Sequence, residues 1–425
     1  MRNRKAMVVK MSERKLKKRY QNILFAEAGN LFGYSGFTQQ FLLEATGVKK
    51  ENYNVKVVAF EYPKSLIRKK KSKMYKEKLR SSGVKYFILP LLYESESMFG
   101  RLADFINVLV LGIITLLANI QIIHSHDRIS AYYATLLKRV FDVKVIYDIH
   151  GVGIEEAIYA NRLEQDSQAY RTLEKREEFV IRNCDFVFCV SEKMRDYVSS
   201  KYDADISKFL VTPTNVDTSI FLYSIQKKRM ARNKLGLDDK FVVLYMGHIN
   251  SWQKTDALMT LFKSFLRKCN NAHFLVLTDG KDLFREKSRE HGILGEFIST
   301  YTVQHKEVPD YAIASDVAVL LRDNSIVNRV ASPAKFGEYL ALGLPVVVTK
   351  GLGDTEEIVR KYNVGVVLEN LDQRKMDKTV DELLNLVKSN ASRLSDDCTR
   401  AANDLLSKNI NMEKIRHVYE DLNEG

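Results

Sequence analysis

Short runs of consecutive apolar residues alternate with amphipathic segments along almost the whole chain. Runs such as Phe186–Val190 and Phe241–Met246 show no polar alternation, which is typical of strands covered by helices on both faces. The strand pattern and the helical pattern follow one another in units of about thirty residues. This order predicts an α/β protein with parallel sheets and right-handed crossovers.

The strand pattern occurs in both halves of the sequence. The predicted strands of the first half are Asn22–Glu27, Asn54–Glu61, Lys85–Leu91, Gln121–His124, Lys144–Ile149, Phe186–Val190 and Phe209–Thr212. Those of the second half are Phe241–Met246, His273–Thr278, Phe297–Thr302, Val317–Leu321, Pro345–Thr349 and Val364–Leu368. The helical patterns between them include Arg128–Phe141, Asp166–Asn183, Asp256–Lys268, Asp282–Glu290, Pro333–Leu342 and Asp354–Lys361.

A polar stretch without any strand pattern, Thr218–Lys240, separates the two halves and is the natural linker. The chain has 425 residues, which suits two domains of about 200 residues each. We therefore predict two Rossmann-like domains, residues 20–217 and 238–407. A C-terminal helix, residues 408–425, is expected to pack back on the first domain.

The composition is that of a globular protein, with 45% hydrophobic and 28% charged residues. The four cysteines show neither C-x-x-C pairs nor neighbouring histidines at zinc spacing, which indicates reduced thiols in a cytosolic protein. They are Cys184, Cys189, Cys269 and Cys398. The first twenty residues lack the apolar core of a signal peptide, so we expect a cytoplasmic location.

One long apolar stretch, Leu102–Ile123, raises the question of a membrane segment. It is interrupted by Asp104, Asn107, Asn119 and Gln121, whereas a membrane span needs about 20 predominantly apolar residues. We interpret the stretch as a helix that is buried or that grazes a membrane surface, and not as a span.

The positive charge is concentrated in two runs. Residues 1–20 and residues 64–80 each hold nine Lys or Arg against one Glu, whereas the whole chain has a formal net charge of +13. The remainder is therefore slightly negative. Such basic runs attract nucleic acid or anionic lipid, and a solvated face kept soluble by lysines is an equal alternative.

Polar residues and glycines follow the predicted strands, at the edge where α/β sheets bind ligands. They include Gly29, Gly33, His126, Asp127, His150, Gly151, Pro213, Asn215, Gly247, His248, Asp279, Arg322 and Asp323. The first glycine loop, Gly29 to Gly36, does not match the dinucleotide fingerprint G-x-G-x-x-G. Its glycines can let the backbone approach a ligand, or they can simply form a turn.

Residues 322–348 carry the sharpest candidate site. Ser332 is a good N-cap and Pro333 a good first helical residue, and the start of a helix attracts anions. Lys335 and Glu338 are three residues apart and share a helix face. A cation beside a diphosphate and a carboxylate on ribose hydroxyls would suit a nucleotide. A capped helix with a surface Lys–Glu pair would give the same pattern.

This segment resembles the nucleotide-binding signature of the family-4 nucleotide-sugar glycosyltransferases, which have the GT-B fold. The matching run is Ser332-Pro333-x-Lys335-x-x-Glu338-Tyr339-Leu340-Ala341-x-Gly343-x-Pro345-Val346. Further matches follow in the family's order: Gly29…Gly36, His126-Asp127, Asp148-x-His150-Gly151, Val190-Ser191-Glu192, Pro213-x-Asn215-Val216-Asp217 and Gly247. Together they extend from Ile23 to about Val359.

The resemblance implies two Rossmann-like domains facing a central cleft, the first on the acceptor side and the second binding the donor. It implies that Glu338 holds the donor ribose and that His150 faces the donor sugar. The candidate donor-binding residues are Glu338, Lys335, Ser332, Pro333, Gly247, His248, Lys254, Arg322, Gly33 and Gly36. The candidate catalytic residues are His150, Glu155 and Glu156, although the two glutamates can equally be solvated first-turn carboxylates.

Three positions depart from the family pattern. Val330 stands where many members carry a second glutamate, so recognition of the sugar must differ. His248 stands where an arginine is usual, and the usual lysine of that loop falls at Gln253 or Lys254. The cations that remain for the diphosphate are Lys335, Lys254 and Arg322.

A D-x-D motif, Asp203-Ala204-Asp205, binds a metal–diphosphate complex in the other large transferase fold. In this chain it lies between a predicted helix and a predicted strand, away from the strand ends that carry ligands, which favours a chance surface loop. We therefore expect no metal and no cofactor other than the nucleotide-diphosphate sugar.

These observations predict an enzyme that moves a sugar from a nucleotide-sugar donor to a glycan or lipid-linked acceptor at the cytoplasmic membrane face. Retention of the anomeric configuration is implied by the resemblance alone. A nucleotide-sugar epimerase, a phosphorylase and a non-catalytic partner subunit remain alternatives. Nucleic-acid binding is disfavoured because the basic runs are not interleaved with an aromatic stacking platform.

Overall fold

The structure is a computed structural model that describes residues 22–29, 36–50, 53–62, 69–91, 98–248, 254–390 and 393–424. Its strands are β1 (Asn22–Ala28), β2 (Asn54–Glu61), β3 (Lys85–Pro90), β4 (Ile122–Ser125), β5 (Lys144–Ile149), β6 (Phe186–Cys189), β7 (Phe209–Val211), β8 (Phe241–Met246), β9 (Ala272–Leu277), β10 (Ile298–Tyr301), β11 (Val317–Leu320), β12 (Val346–Thr349) and β13 (Gly365–Leu368). Each predicted strand is present, within one residue of its predicted bounds.

The α-helices lie between and after these strands. They are α1 (Gly36–Lys50), α2 (Lys69–Ser81), α3 (Met98–Leu117), α4 (Arg128–Leu137), α5 (Gly153–Tyr159), α6 (Gln168–Asn183), α7 (Glu192–Lys201), α8 (Ile225–Leu235), α9 (Thr255–Lys268), α10 (Lys281–Glu290), α11 (Val308–Ala312), α12 (Ile326–Arg329), α13 (Ala334–Ala341), α14 (Thr355–Tyr362), α15 (Gln373–Ser389), α16 (Leu394–Ala401) and α17 (Lys408–Glu424).

The strands form two sheets with the doubly wound order. The first sheet runs β3-β2-β1-β4-β5-β6-β7 and the second runs β10-β9-β8-β11-β12-β13. In each sheet the chain builds outward from a central strand and then resumes on that strand's other side. The resulting switch points lie between β1 and β4, and between β8 and β11. The predicted fold of two Rossmann-like parallel sheets is therefore confirmed.

Burial on both faces explains why the strands lack polar alternation. In β8, Val242 and Leu244 pack into one hydrophobic core, whereas Val243 and Tyr245 pack into another. Successive side chains of a strand point to opposite faces of the sheet. Each face of this sheet is covered, so every position in the strand has to be apolar.

The chain divides into two compact units, Met1–Ile149 with Arg171–Val187, and His150–Tyr170 with Phe188–Gly425. The predicted domain boundaries at residues 217 and 238 stay predictions. The packing of the C-terminal helix on the first domain stays a prediction as well. This helix is α17, and within the second unit its Lys414 donates a hydrogen bond to the carbonyl of Val211 (3.1 Å).

The predicted linker contains a helix that the sequence reading missed. Helix α8 begins after Ser224, whose hydroxyl caps the N–H of Lys227, and ends at Gly236 in the left-handed conformation. These are ordinary start and stop signals. The helix was overlooked because it buries only Ala231 and therefore has almost no apolar face.

Helix α3 turns its polar residues inward and its apolar residues outward. Tyr133 of α4 donates to Oδ1 of the buried Asp104 (2.7 Å), and Arg176 of α6 forms a salt bridge with its other oxygen (2.8 Å). On the opposite helix face lies an exposed apolar stripe of Leu102, Phe105, Ile106, Leu109, Ile113, Leu116 and Leu117. Among the described residues, Gly100–Leu117 is the one segment long and apolar enough to cross a membrane, and 39% of it is buried.

Candidate functional site

The switch point of the second sheet carries the donor-binding candidates. Gly247 follows β8 and Arg322 follows β11, and these strands are neighbours in the sheet. Gly247 has φ +147°, and its N–H donates to the carbonyl of Leu277 at 3.0 Å. Glycine tolerates this backbone conformation far better than other residues do. At Gly247 the chain therefore offers bare backbone at the edge where ligands bind.

Two cations, Arg322 and Lys335, lie close together at this edge. Burial lowers the pKa of Lys335 to about 8, and the charge of Arg322 acts in the same direction, while Glu338 and Asp279 oppose it. Burial also lowers the pKa of Arg322, and its Nε atom has no hydrogen-bond partner. Within the described part of the chain, neither side chain forms a salt bridge. An anion that accepts hydrogen bonds from both would relieve this repulsion.

Asp323 is the centre of a network next to these cations. It accepts a hydrogen bond from the hydroxyl of Tyr159 (2.5 Å) and forms a salt bridge with Lys254 (2.9 Å). Burial acts to raise the pKa of Asp323, but hydrogen bonds from Tyr159, Ser325 and Lys254 outweigh it and hold the pKa well below its usual value. Lys254, a predicted donor-binding cation, is thus paired with Asp323, and its role in donor binding stays a prediction.

Glu338 has a partner that the sequence reading missed. Its Oε1 lies 3.0 Å from Nε2 of His305, which is on the turn after β10. The His305 ring packs against Phe221, with 5.6 Å between ring centroids. A separation of 33 residues gave no local signal for this pairing. The carboxylate of Glu338 is therefore held in place beside the helix face that carries Lys335.

His248 is paired with an acidic residue. Its Nδ1 lies 2.7 Å from Oδ2 of Asp279, and the two side chains are 65% and 58% exposed. The role of His248 in donor binding stays a prediction.

The predicted cap at Ser332 is wrong. Helix α13 begins at Ala334, and its N-cap is Pro333 with an extended backbone and no side-chain cap. The Ser332 hydroxyl instead accepts from the N–H of Thr214 (3.1 Å), and its carbonyl accepts from the Thr214 hydroxyl (2.7 Å). The side chain is engaged by a segment far away in the sequence, which local capping rules do not take into account.

Ser191, from the family motif Val190-Ser191-Glu192, contacts the loop that precedes α13. The hydroxyl of Ser191 donates to the carbonyl of Val330 at 2.6 Å and also accepts from the N–H of Met194. Ser191 therefore caps α7 and fastens it to the loop before α13. These contacts give the Val190-Ser191-Glu192 and Pro213-x-Asn215 motifs a positioning role within the second unit.

The candidate catalytic glutamates have different surroundings. Glu155 accepts from the Tyr197 hydroxyl (2.6 Å) and forms a salt bridge with Lys201 (2.5 Å), so it ties α5 to α7. Glu156 packs against Gly151, where a Cβ atom would lie 2.3 Å from its Oε1. Burial raises the pKa of Glu156. Glu156 is thus the carboxylate that lies against the loop after β5.

His150 begins this loop and is half-buried. Helix α5 follows it and ends at Tyr159, which binds Asp323. The segment that carries His150 is therefore fastened to the loop that carries Arg322. Of the first glycine loop, Gly36 begins α1, and Gly33 lies outside the described residues. Asp205 of the D-x-D motif caps the turn Ile206–Lys208.

Comparisons with known proteins identify the family of this chain. Residues 34–220 match the family described as Glycosyltransferase Family 4, and residues 227–402 match Glycosyl transferases group 1. A Bacillus subtilis (strain 168) protein named as a teichuronic acid biosynthesis glycosyltransferase, TuaH, is 27% identical over 195 residues. These residues cover 45% of this chain and 47% of that protein. The chain thus matches about half the length of this relative.

Solved structures share the fold over nearly the whole chain. A glycosyltransferase from Rickettsia africae superposes with a TM-score of 0.74 at 14% identity, covering 95% of this chain and 99% of that one. Anabaena HepE in complex with UDP superposes with a TM-score of 0.70 at 12% identity, covering 94% and 100%. The two family matches, over residues 34–220 and 227–402, show that the chain belongs to the family-4 glycosyltransferases, and the solved structures show that it has the GT-B fold.

Proposed function

We propose that this protein transfers a sugar from a nucleotide-diphosphate sugar to a glycan or lipid-linked acceptor, with retention of the anomeric configuration. The observation that carries the proposal is the pair of cations Arg322 and Lys335, which have no salt-bridge partner among the described residues. Glu338 lies on the next turn of the same helix as Lys335. The Anabaena relative was solved with UDP and with UDP-glucose, and both ligands carry the diphosphate group that these cations would bind.

The spacing of these groups suits a nucleotide. Lys335 and Glu338 are separated by about 4.5 Å along the helix axis, and a nucleotide carries its ribose directly beside its first phosphate. The diphosphate oxygens would accept hydrogen bonds from Arg322 and Lys335. The Glu338 carboxylate would accept from the ribose hydroxyls, while His305 keeps it oriented.

The same cations would serve the chemical step. When the bond to the sugar breaks, negative charge grows on the departing diphosphate, and preorganised cations in a partly buried site stabilise that charge. His150 would position the sugar, and the acceptor would attack from the face that the diphosphate leaves. The charge needed at the leaving group comes from the protein, so we propose that transfer needs no metal ion.

The acceptor is proposed to be presented at the cytoplasmic face of a membrane. The exposed apolar stripe of α3 supports this, because the inward hydrogen bonds of Asp104 anchor the helix to its own unit. A helix held in this way can rest its apolar face in a bilayer surface without crossing it. The basic runs at residues 1–20 and 64–80 favour an anionic bilayer. Residues 1–20 and 64–68 lie outside the described residues.

A transfer assay tests the proposed activity. The purified protein is incubated with a panel of nucleotide sugars, with and without glycan and polyisoprenyl-phosphate-linked acceptors, and nucleotide diphosphate release is measured. We expect acceptor-dependent release and a product with the donor's anomeric configuration by NMR. Acceptor-independent conversion of the donor sugar would instead indicate an epimerase, and donor binding without turnover would indicate a non-catalytic subunit.

Controls keep this assay specific. Lys335→Met is expected to abolish turnover at low donor concentration, whereas Lys263→Met, at an exposed position of α9, leaves it unchanged. A chelator added to the assay is expected to have no effect on the initial rate. A loss of initial rate that added Mg²⁺ or Mn²⁺ restores would contradict the metal-independent mechanism.

A further inference from the structure

A cluster of side chains that commonly bind metals lies in the first unit, and none of its members belongs to the donor site. Glu44 comes from α1, His124 and His126 from β4 and its C-terminal end, and Asp148 from β5. One ligand atom from each lies within 4.8 Å of all the others. All four side chains are 2% exposed or less.

The fold brings these residues together from three elements. His124 and His126 are two residues apart on an extended strand, so both rings project to the same face of the sheet. Strands β4 and β5 are parallel neighbours, with Ser125 opposite Tyr147, which places Asp148 next to His126. Helix α1 covers this face and supplies Glu44.

The shortest distances between ring nitrogens and carboxylate oxygens in the cluster are longer than direct hydrogen bonds. Nε2 of His124 lies 3.5 Å from Oδ2 of Asp148, and Nε2 of His126 lies 3.5 Å from Oε2 of Glu44. Hydrogen bonds between nitrogen and oxygen are usually 2.7–3.2 Å long. Ligands at zinc bond lengths of 2.0–2.1 Å occupy the corners of a tetrahedron with edges of about 3.4 Å.

The charge of the cluster also favours a bound cation. Two carboxylates are buried together, and Phe25 and Phe41 pack their rings against the histidines, with centroid distances of 4.8–5.4 Å. In such apolar surroundings a buried carboxyl group is either protonated or paired with a positive charge, and a bound metal ion supplies that charge. Gln40 donates to Oε1 of Glu44 (2.5 Å), while Oε2 accepts no hydrogen bond from the described residues.

We infer that Glu44, His124, His126 and Asp148 form a buried binding site for a divalent zinc-type ion. Two imidazole nitrogens and two carboxylate oxygens make a four-coordinate ligand set that suits Zn²⁺. Gln40 orients Glu44 from outside the ligand set, as outer hydrogen bonds commonly do around metals. With every position filled by protein and no exposed ligand, the ion has a structural role and takes no part in sugar transfer.

Loading of the site requires one local adjustment. The two histidine rings are stacked, with centroids 4.6 Å apart and planes at 21°. A lone pair lies in the plane of its own ring, so one ring has to turn out of the stack for both nitrogens to reach the same ion.

Metal analysis of the full-length, tag-free protein tests the site. The protein is purified without chelator from zinc-supplemented cells, and its metal content is measured by inductively coupled plasma mass spectrometry. We expect about one zinc per chain, and less than about a tenth of that in His126→Gln and in Asp148→Asn. The control is His273→Gln, a buried histidine of β9 outside the cluster, which keeps the full content.

Cobalt substitution gives a second readout that does not depend on variants folding. Wild-type protein stripped of metal and loaded with Co²⁺ is expected to show the intense visible absorption of a tetrahedral ion, which added Zn²⁺ abolishes. Wild type without bound metal, or equal metal content in wild type and both cluster variants, would overturn the site. An octahedral cobalt spectrum would also overturn it, because it would indicate an adventitious ion only.

Discussion

Nε2 of His305 lies 3.0 Å from Oε1 of Glu338, so the carboxylate expected to hold a ribose is already engaged by a histidine. The Glu338 side chain is 13% exposed, whereas His305 is 45% exposed. The histidine therefore lies on the solvent side of the carboxylate and fixes its orientation. A ribose would use the remaining lone pairs of Glu338.

Replacing Glu338 by alanine should weaken nucleotide binding by about 1.5–3 kcal/mol, because a hydrogen bond to a charged group contributes that much. The measurement is calorimetric titration with the tightest-binding nucleoside diphosphate and with its 2′-deoxy analogue. Wild type should prefer the ribose form, and Glu338→Ala should bind both forms equally. The melting temperature should change little, because the side chain lies at the edge of the site.

The matched control is Glu286→Ala, an exposed glutamate of α10 in the same unit, which should leave the preference intact. If Glu338→Ala still distinguishes the ribose form from the deoxy form, Glu338 does not contact the ribose. The pair with His305 would then be only a surface ion pair.

Nucleotide binding should weaken above about pH 8, because burial lowers the pKa of Lys335 to about 8 in the ligand-free protein. A bound diphosphate favours the charged ammonium and raises this pKa. Below pH 7 the lysine is protonated in both states, so it adds no pH dependence. Above pH 8, binding must take up a proton, and affinity should fall by up to about tenfold per pH unit.

Titration calorimetry at pH 8.5 in buffers of different ionisation enthalpy measures this proton uptake directly. Wild type should take up more than about half a proton per nucleotide bound, and Lys335→Met should take up none from this source. Affinity that stays constant between pH 7 and pH 9.5 would show that Lys335 does not face the diphosphate.

The fold was predictable from sequence because each strand carries its own signal. Consecutive apolar residues such as Phe241–Met246 are required wherever both faces of a sheet are covered, and polar residues or glycines mark where each strand ends. Helix α8 was not predicted because it has almost no apolar face, although the residues that begin and end it, Ser224 and Gly236, are visible in the sequence. Likewise, an exposed apolar stripe on α3 could not be told from a buried one without knowing which neighbours pack on the helix.

The candidate site was only partly predictable. Lys335 and Glu338 share one helix, and their spacing was visible in the sequence. Asp323 with Tyr159, and Glu338 with His305, are joined across 164 and 33 residues, and nothing local marks such pairs. The predicted cap at Ser332 was wrong for the same reason, because the Ser332 hydroxyl accepts a hydrogen bond from the distant N–H of Thr214.

His150→Ala should lower turnover far more than it lowers nucleotide affinity, because its proposed contact is with the sugar. Steady-state rates at saturating donor, set against calorimetric affinity for the nucleoside diphosphate, separate the two effects. The comparison variant is Glu155→Gln. Because Glu155 forms a salt bridge with Lys201, this substitution should lower the stability of the fold. Turnover of His150→Ala within about twofold of wild type would make the histidine structural.

Removing the apolar stripe of α3 should reduce binding to anionic vesicles. Leu109, Leu116 and Leu117 are 52%, 67% and 82% exposed, so replacing all three by glutamine should leave the fold intact. Each leucine contributes up to about 1.5–3 kcal/mol when buried in lipid, and vesicle sedimentation should therefore show a loss of more than tenfold. Leu283→Gln, at an exposed position of α10, is the control.

The basic run should contribute through charge. Neutralising Arg68, Lys69, Lys70 and Lys71 should weaken binding to anionic vesicles, since each basic residue near such a surface contributes about 1 kcal/mol. High salt should have the same effect, because screening shortens with ionic strength. Equal wild-type binding to neutral and anionic vesicles, or none to either, would contradict membrane docking and leave the transfer site unaffected.

Calorimetric titration of wild type, Arg322→Ala and Lys335→Ala with a nucleoside, its monophosphate and its diphosphate is the most direct test of the proposed donor site. We expect one diphosphate to bind per wild-type chain, more tightly than the monophosphate or the nucleoside. Both variants should lose that preference, while Lys263→Ala keeps it. Equal affinity of wild type for all three ligands, or an unchanged preference in both variants, would contradict an anion site at Arg322 and Lys335.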